Sequence, residues 1–92
     1  MKGTKYDKGK LQWDKMHWNE LEEVMAVMQH GAEKYDWNNY LKVPDAKARY
    51  TSALFRHLIA VQQGSEIDPE SKFGHYAHAI CNILFLMRLE VK

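Results

Sequence analysis

The sequence predicts an all-α fold, a small bundle of three principal helices completed by oligomerisation. Apolar residues recur at helical spacing in three segments, and nothing alternates convincingly as a strand does. The last segment, residues 73–92, is apolar on nearly every side, which is the pattern of a buried helix. Set into it are His75, His78 and Asn82, spaced i, i+3, i+7. At about 3.6 residues per turn these share one narrow stripe. Tyr76, Ile80, Ile83, Leu84 and Met87 fall opposite, and Phe85, Leu86 and Leu89 flank the stripe. A buried polar group left unpaired costs about 1–3 kcal/mol, so the stripe needs partners: a metal with its carboxylates, a ligand, or other side chains.

Residues 1–17 form an arm with no sustained period. Lys2, Lys5, Lys8, Lys10 and Lys15 make it basic, and Tyr6, Trp13 and His17 punctuate it. It suits a solvated tail, or a strap over a site where lysines meet phosphates and an aromatic covers a base. Helix one is expected to begin near Asn19, with Glu22 completing a capping box. Leu21, Val24, Met25, Met28, Ala32 and Tyr35 form its apolar face. Glu20 and Glu23 lie one turn apart at the edge of that face, and His30 and Lys34 continue their stripe. Glu20, Glu22 and Glu23 suit either a solvated helix start or an ion. Gly31 marks a close helix approach or an early end.

Asp36 to Pro44 reads as a loop, and Trp37 and Tyr40 should fold it back onto the body or over a pocket. Helix two runs from Asp45, its expected N-cap, to Gln63, with Gly64 as the stop. Tyr50, Leu54, Leu58 and Val61 should bury, with His57 beside them. Arg49, Ser52, Arg56 and Gln63 share another face, as available to phosphate as to water. Asp68-Pro69 is a helix-start signal, and Gly74 a turn before the last helix.

Composition narrows the classes. A chain of 92 residues is one domain, 1–92, with the basic arm at 1–17. A net charge of +1 gives no electrostatic case for binding a nucleic-acid polymer or a membrane surface. The lone Cys81 cannot form an internal disulfide, the N-terminus lacks the apolar core of a signal peptide, and a cytoplasmic protein is expected. No Walker A loop or Gly-x-Ser-x-Gly elbow is present. A His-Asp phosphohydrolase is disfavoured, because Arg56-His57-Leu58 lacks the adjacent aspartate. Carboxylates opposite imidazole and amide, with cations nearby, are the equipment of metal-assisted phosphoanhydride chemistry with Mg²⁺ or Mn²⁺.

Several segments taken in order carry a resemblance. They are Lys5-Tyr6-Asp7 with Gly9-Lys10, Glu22-Glu23-Val24, and Gly31-Ala32-Glu33-Lys34-Tyr35 with Asn38-Asn39. Further on come Arg56-His57-Leu58, Asp68-Pro69-Glu70-Ser71, and His75-x-x-His78-Ala79-x-x-Asn82 with Phe85-Leu86. Together the chain resembles the MazZ-type dATP/dGTP diphosphohydrolases, a phage and bacterial branch of the all-α MazG-like NTP pyrophosphatases. That resemblance implies metal-dependent cleavage of a purine dNTP to dNMP and pyrophosphate, by a homo-oligomer (dimer or tetramer), in the host cytoplasm if the chain is phage-encoded. It departs from the wider family's Glu-Glu-x-x-Glu and Glu-x-x-Asp motifs. Glu22-Glu23 is followed by Met25-Ala26, so the third glutamate is missing, and the second motif falls on Ala79-x-x-Asn82.

The expected site follows. Glu20, Glu22, Glu23, His78 and Asn82 would hold metal, with Glu22, Glu23 and His78 catalytic. Lys5, Lys10, Lys34, Arg49 and Arg56 would neutralise phosphate. His57 and His75 would orient ligands or bind phosphate, and Tyr6, Trp37 and Asn39 would contact the nucleotide. The rival expectation is a non-catalytic helical phage accessory module that binds a nucleotide or a protein.

Overall fold

A computed structural model of the chain describes residues 2–90. It contains three α-helices, α1 (Trp18–Lys34), α2 (Ala46–Gln62) and α3 (His75–Glu90), with short 3-10 turns at Trp13–Lys15 and Asn39–Leu41. Among the described residues there is no strand, only an isolated antiparallel bridge between Ile67 and Gly74. The fold is all-α, and α3 packs against both α1 and α2.

Helix α1 starts one residue earlier than its expected cap. The turn at Trp13–Lys15 delivers the chain so that Leu21 N–H reaches the His17 carbonyl at 3.2 Å. Asn19 therefore lies inside the helix, and no side chain caps the start, so the Asn19–Glu22 capping box does not form. Gly31 neither ends α1 nor admits a neighbour: a Cβ built there meets nothing within 4 Å. After α1, Asp36 takes the Asn38 amide on Oδ1 and the Lys42 ammonium on Oδ2, both at 2.8 Å. This bend returns Tyr40 to stack on Phe85 of α3, ring centroids 4.8 Å apart, as the loop's aromatics required.

Helix α2 also opens differently. Asp45 adopts the left-handed conformation (φ 53°), tolerable for Asp, and caps with its carbonyl to Arg49 N–H (3.0 Å) rather than with its side chain. The helix ends as expected at Gly64, whose φ of +94° lets Ser65 N–H bond back to the Ala60 carbonyl at 3.0 Å. Asp68-Pro69 does not start a helix. The Asp68 carboxylate accepts the Ser71 amide (2.8 Å), but Lys72 turns left-handed (φ 70°) and the chain doubles back, with Asp68 N–H on the Phe73 carbonyl.

The core is thin. Val24 and Val27 of α1 pack with Ala77 and Cys81 of α3, with Met28, Phe73 and Phe85 around them. His75 and Asn82 are buried beside them at 5% and 8% exposure, and His78 is half-buried. The expectation that α3 buries all round is corrected. Tyr76, Ile80, Ile83, Leu84 and Met87 stay exposed, Met87 at 61%, because α1 and α2 cover only the histidine side. The helix is described to Glu90, and the expected extension to Lys92 lies outside the described residues.

One long-range bond ties α1 to the start of α3: Gly74 N–H donates to Glu23 Oε2 at 2.9 Å. A Cβ on residue 74 would stand 2.7 Å from that same oxygen, so Gly74→Ala forces the carboxylate off. Glu23→Ala and Gly74→Ala should each cost about 1 kcal/mol in urea melts, and the double variant should lose little more than either single one.

Candidate functional site

Missing bulk at Gly31 shapes the site. Where the C-terminal half of α1, the Tyr35–Tyr40 bend, α2 and α3 meet, a cavity of about 250 Å³ opens, and Gly31 forms part of its wall. Lys34, Trp37, Asn39, His57, His78 and Asn82 also line it. These six come from three helices and a loop, and each was singled out by its place in the sequence. Half-buried His30, one turn before Lys34 on α1, completes the polar side, its ring edge-on to Phe73 at 5.8 Å.

Beside the cavity lies a histidine network. The Nδ1 atoms of His57 and His75 are 2.8 Å apart, so one donates and the other accepts. His57 stacks on His78 with ring centroids 4.5 Å apart and planes 7° from parallel. Ser71 Oγ stands 2.6 Å from His78 Nε2, and Asp68 Oδ2 stands 3.9 Å from the same nitrogen. Burial, then the neighbouring imidazoles, holds His57 below the ordinary histidine pKa. Burial does the same to His78, against the pull of Asp68. Burial would raise Asp68, but the Ser71 amide and hydroxyl and the imidazoles bring it below the usual carboxylate value. At neutral pH His57 and His78 are therefore neutral imidazoles beside an ionised Asp68 carboxylate. The buried Cys81 thiol is pushed up to about 11 and stays protonated.

Asn82 meets its need for a partner locally, donating from Nδ2 to the His78 carbonyl one turn back at 3.0 Å. The carboxylates are placed elsewhere. Glu20, Glu22 and Glu23 are exposed, Glu23 engaged at Gly74. Among the described residues, the one group of three or more His, Cys, Asp or Glu side chains gathered closely enough for an ion is His57, Asp68 and His75, with ligand atoms within 4.8 Å of one another. Arg49 and Arg56 are exposed along α2, and Lys5, Tyr6 and Lys10 are exposed in the arm; none of these lines the cavity. Asp68, Ser65 and Ser71 were not foreseen as site residues. The sign was available: an Asp with Ser three residues on is a side-chain-capped turn, and this one falls between His57 and His75.

The sequence profile of the dATP/dGTP diphosphohydrolase N-terminal family matches residues 1–92. A dATP/dGTP diphosphohydrolase of Salmonella phage PMBT28 is 31% identical over 91 residues, covering 97% of this chain. The chain spans 30% of that protein's length. No solved structure matches. The chain belongs to the dATP/dGTP diphosphohydrolase N-terminal family.

The lowered histidines set a pH dependence. Both folded pKa values lie below the ordinary 6.5, so below that pH the unfolded chain binds more protons and stability falls. Above it their contribution is complete. The stability owed to Asp68 is lost only as pH drops through its own value, below 3.8. In EDTA, the melting temperature should decline from pH 7.5 to 5.5, and His57→Gln should flatten that decline.

Proposed function

We propose that this family member is the nucleotide-handling part of a MazZ-type diphosphohydrolase, which cleaves a purine dNTP between the α- and β-phosphates. The observation that carries the proposal is the cavity. It gathers Lys34, Trp37, Asn39 and His57, assigned to substrate from the sequence, with His78 and Asn82, assigned to metal. In this scheme Lys34 neutralises phosphate charge and Trp37, a half-exposed part of the cavity wall, stacks on the base. His78, its pKa lowered, accepts a proton from the attacking water as general base. Water oxygen bonds to the α-phosphorus, the bond to the bridging oxygen breaks, and pyrophosphate leaves.

Mg²⁺ or Mn²⁺, when bound, polarises the α-phosphate and acidifies water. Such ions are commonly held by one or two carboxylates together with substrate phosphates, without a closed protein cage. Exposed Glu22 and Glu23 fit that role, and Glu20 stands one turn before Glu23. Glu23 shares the face of α1 that continues through Val27 to cavity-lining His30 and Lys34. The uncovered apolar face of α3 supports a homo-oligomer, since two small valines and three smaller side chains are a thin core for one chain. A dNTP substrate and a reduced Cys81 fit the cytoplasm. One observation favours a second reading, a helical module that binds without hydrolysing: the glutamates form no ready cluster with His78 and Asn82.

A product assay separates the two. With each dNTP and its ribose counterpart, in Mg²⁺ or Mn²⁺, the expected products are dNMP and pyrophosphate, absent in EDTA and in Glu23→Gln. His78→Gln should lower kcat about a hundredfold or more. Gly31→Ala should raise stability by about 1 kcal/mol, whereas Gly31→Leu should fill the cavity and abolish turnover in a folded protein. Orthophosphate as product would overturn the α-phosphate mechanism. No turnover from folded protein would leave the binding module.

A further inference from the structure

We propose that His57, Asp68 and His75 form a resident site for a nitrogen-preferring first-row divalent ion such as Zn²⁺ or Co²⁺, separate from the Mg²⁺ or Mn²⁺ that accompanies a nucleotide. The ligand atoms already lie within 4.8 Å of one another. With metal bonds of about 2.0–2.2 Å, tetrahedral donors stand about 3.3–3.5 Å apart, so small side-chain rotations would part the two imidazole nitrogens, now 2.8 Å from each other, and draw the Asp68 carboxylate in. Two imidazoles and one carboxylate suit Mn, Fe, Co, Ni or Zn, whereas Mg²⁺ takes oxygen and gives up its water reluctantly.

Protonation in the network favours the ion. Ser65 donates its hydroxyl proton to the Ile67 carbonyl (3.3 Å) and stands 3.2 Å from His75 Nε2. A Ser65 hydroxyl that accepts at this distance pairs with the His75 tautomer that carries its hydrogen on Nε2 and leaves a lone pair at Nδ1. That lone pair faces His57 Nδ1 at 2.8 Å, which must then donate. An arriving ion replaces that single proton, which moves to His57 Nε2 or to solvent. A hydrogen bond from the far nitrogen is the usual device that fixes a metal-binding histidine. The Ser71 amide likewise orients the Asp68 carboxylate at 2.8 Å.

The three ligands come from α2, the turn at 63–74 and the first residue of α3. An ion there would clamp the turn, exposed over residues 63–67, to both helices. His57 borders the cavity but Asp68 and His75 do not, and metal uptake is read without nucleotide, so the site is tested apart from the hydrolase proposal.

The test uses the whole chain, stripped with chelator and titrated with Co²⁺ and Zn²⁺ without nucleotide. The expected result is one equivalent bound, visible d–d bands for Co²⁺, a raised melting temperature, and no such rise with equal Mg²⁺. Paramagnetically shifted imidazole protons from two histidines in the wild-type protein identify the ligands without any substitution. Asp68→Asn and His57→Gln should lose the equivalent, and Ser65→Ala should weaken it about tenfold to a hundredfold. Asp14→Asn, at an exposed carboxylate of the arm, should leave binding unchanged. No bound equivalent in the folded wild type overturns the site, as does uptake that survives His57→Gln or is lost in Asp14→Asn.

Discussion

Helix α3 carries His75, His78 and Asn82 inward along the face that α1 and α2 cover, and the cost of burying those groups unpaired governs much of the arrangement. Asn82 is satisfied within its own helix. The two histidines are not, and each draws on the turn between α2 and α3: Ser65 for His75, Ser71 and Asp68 for His78. His57 enters from α2 to complete the set, bonded to one imidazole and stacked on the other. The turn thus supplies polar partners in a region where the apolar core is confined to a few small side chains.

An open cavity and a closed polar network lie in two neighbouring regions. The cavity is open because Gly31 leaves space and because the Asp36 bend returns Tyr40 to Phe85 while Trp37 and Asn39 remain at the wall. The histidine network closes the other side, and His57 and His78 belong to both. Neutral imidazoles there can take a proton, a property owed mainly to burial. The glutamates of α1 remain in water, outside both regions.

Much of this was legible in the sequence, for a reason that also marks where legibility stops. Helical periodicity placed all three helices, and the i, i+3, i+7 spacing placed His75, His78 and Asn82 on the covered side. Local signals failed where a longer-range contact decided the outcome. Asn19 looked like a cap, but the turn before it starts the helix at Trp18. Asp68-Pro69 looked like a helix start, but its carboxylate is spent on a turn that Lys72 closes. The apolar ring around α3 suggested burial, yet among the described residues Tyr76 and Met87 stay more than half exposed. Which carboxylate meets the histidines depends on how the turn folds, and spacing along the chain does not encode that.

The most direct test of the central claim, that nucleotide occupies the cavity between α1 and the α2–α3 pair, is a resonance-by-resonance titration. The probe is a dGTP analogue with a methylene group between the α- and β-phosphorus, with Mg²⁺. The account predicts shifts concentrated on Gly31, Lys34, Trp37, Asn39, His57, His78 and Asn82, lost when Gly31→Leu fills the cavity. Shifts confined to the basic arm around Lys5 and Lys10, or to Arg49 and Arg56 on the outer side of α2, with the cavity silent, would contradict it.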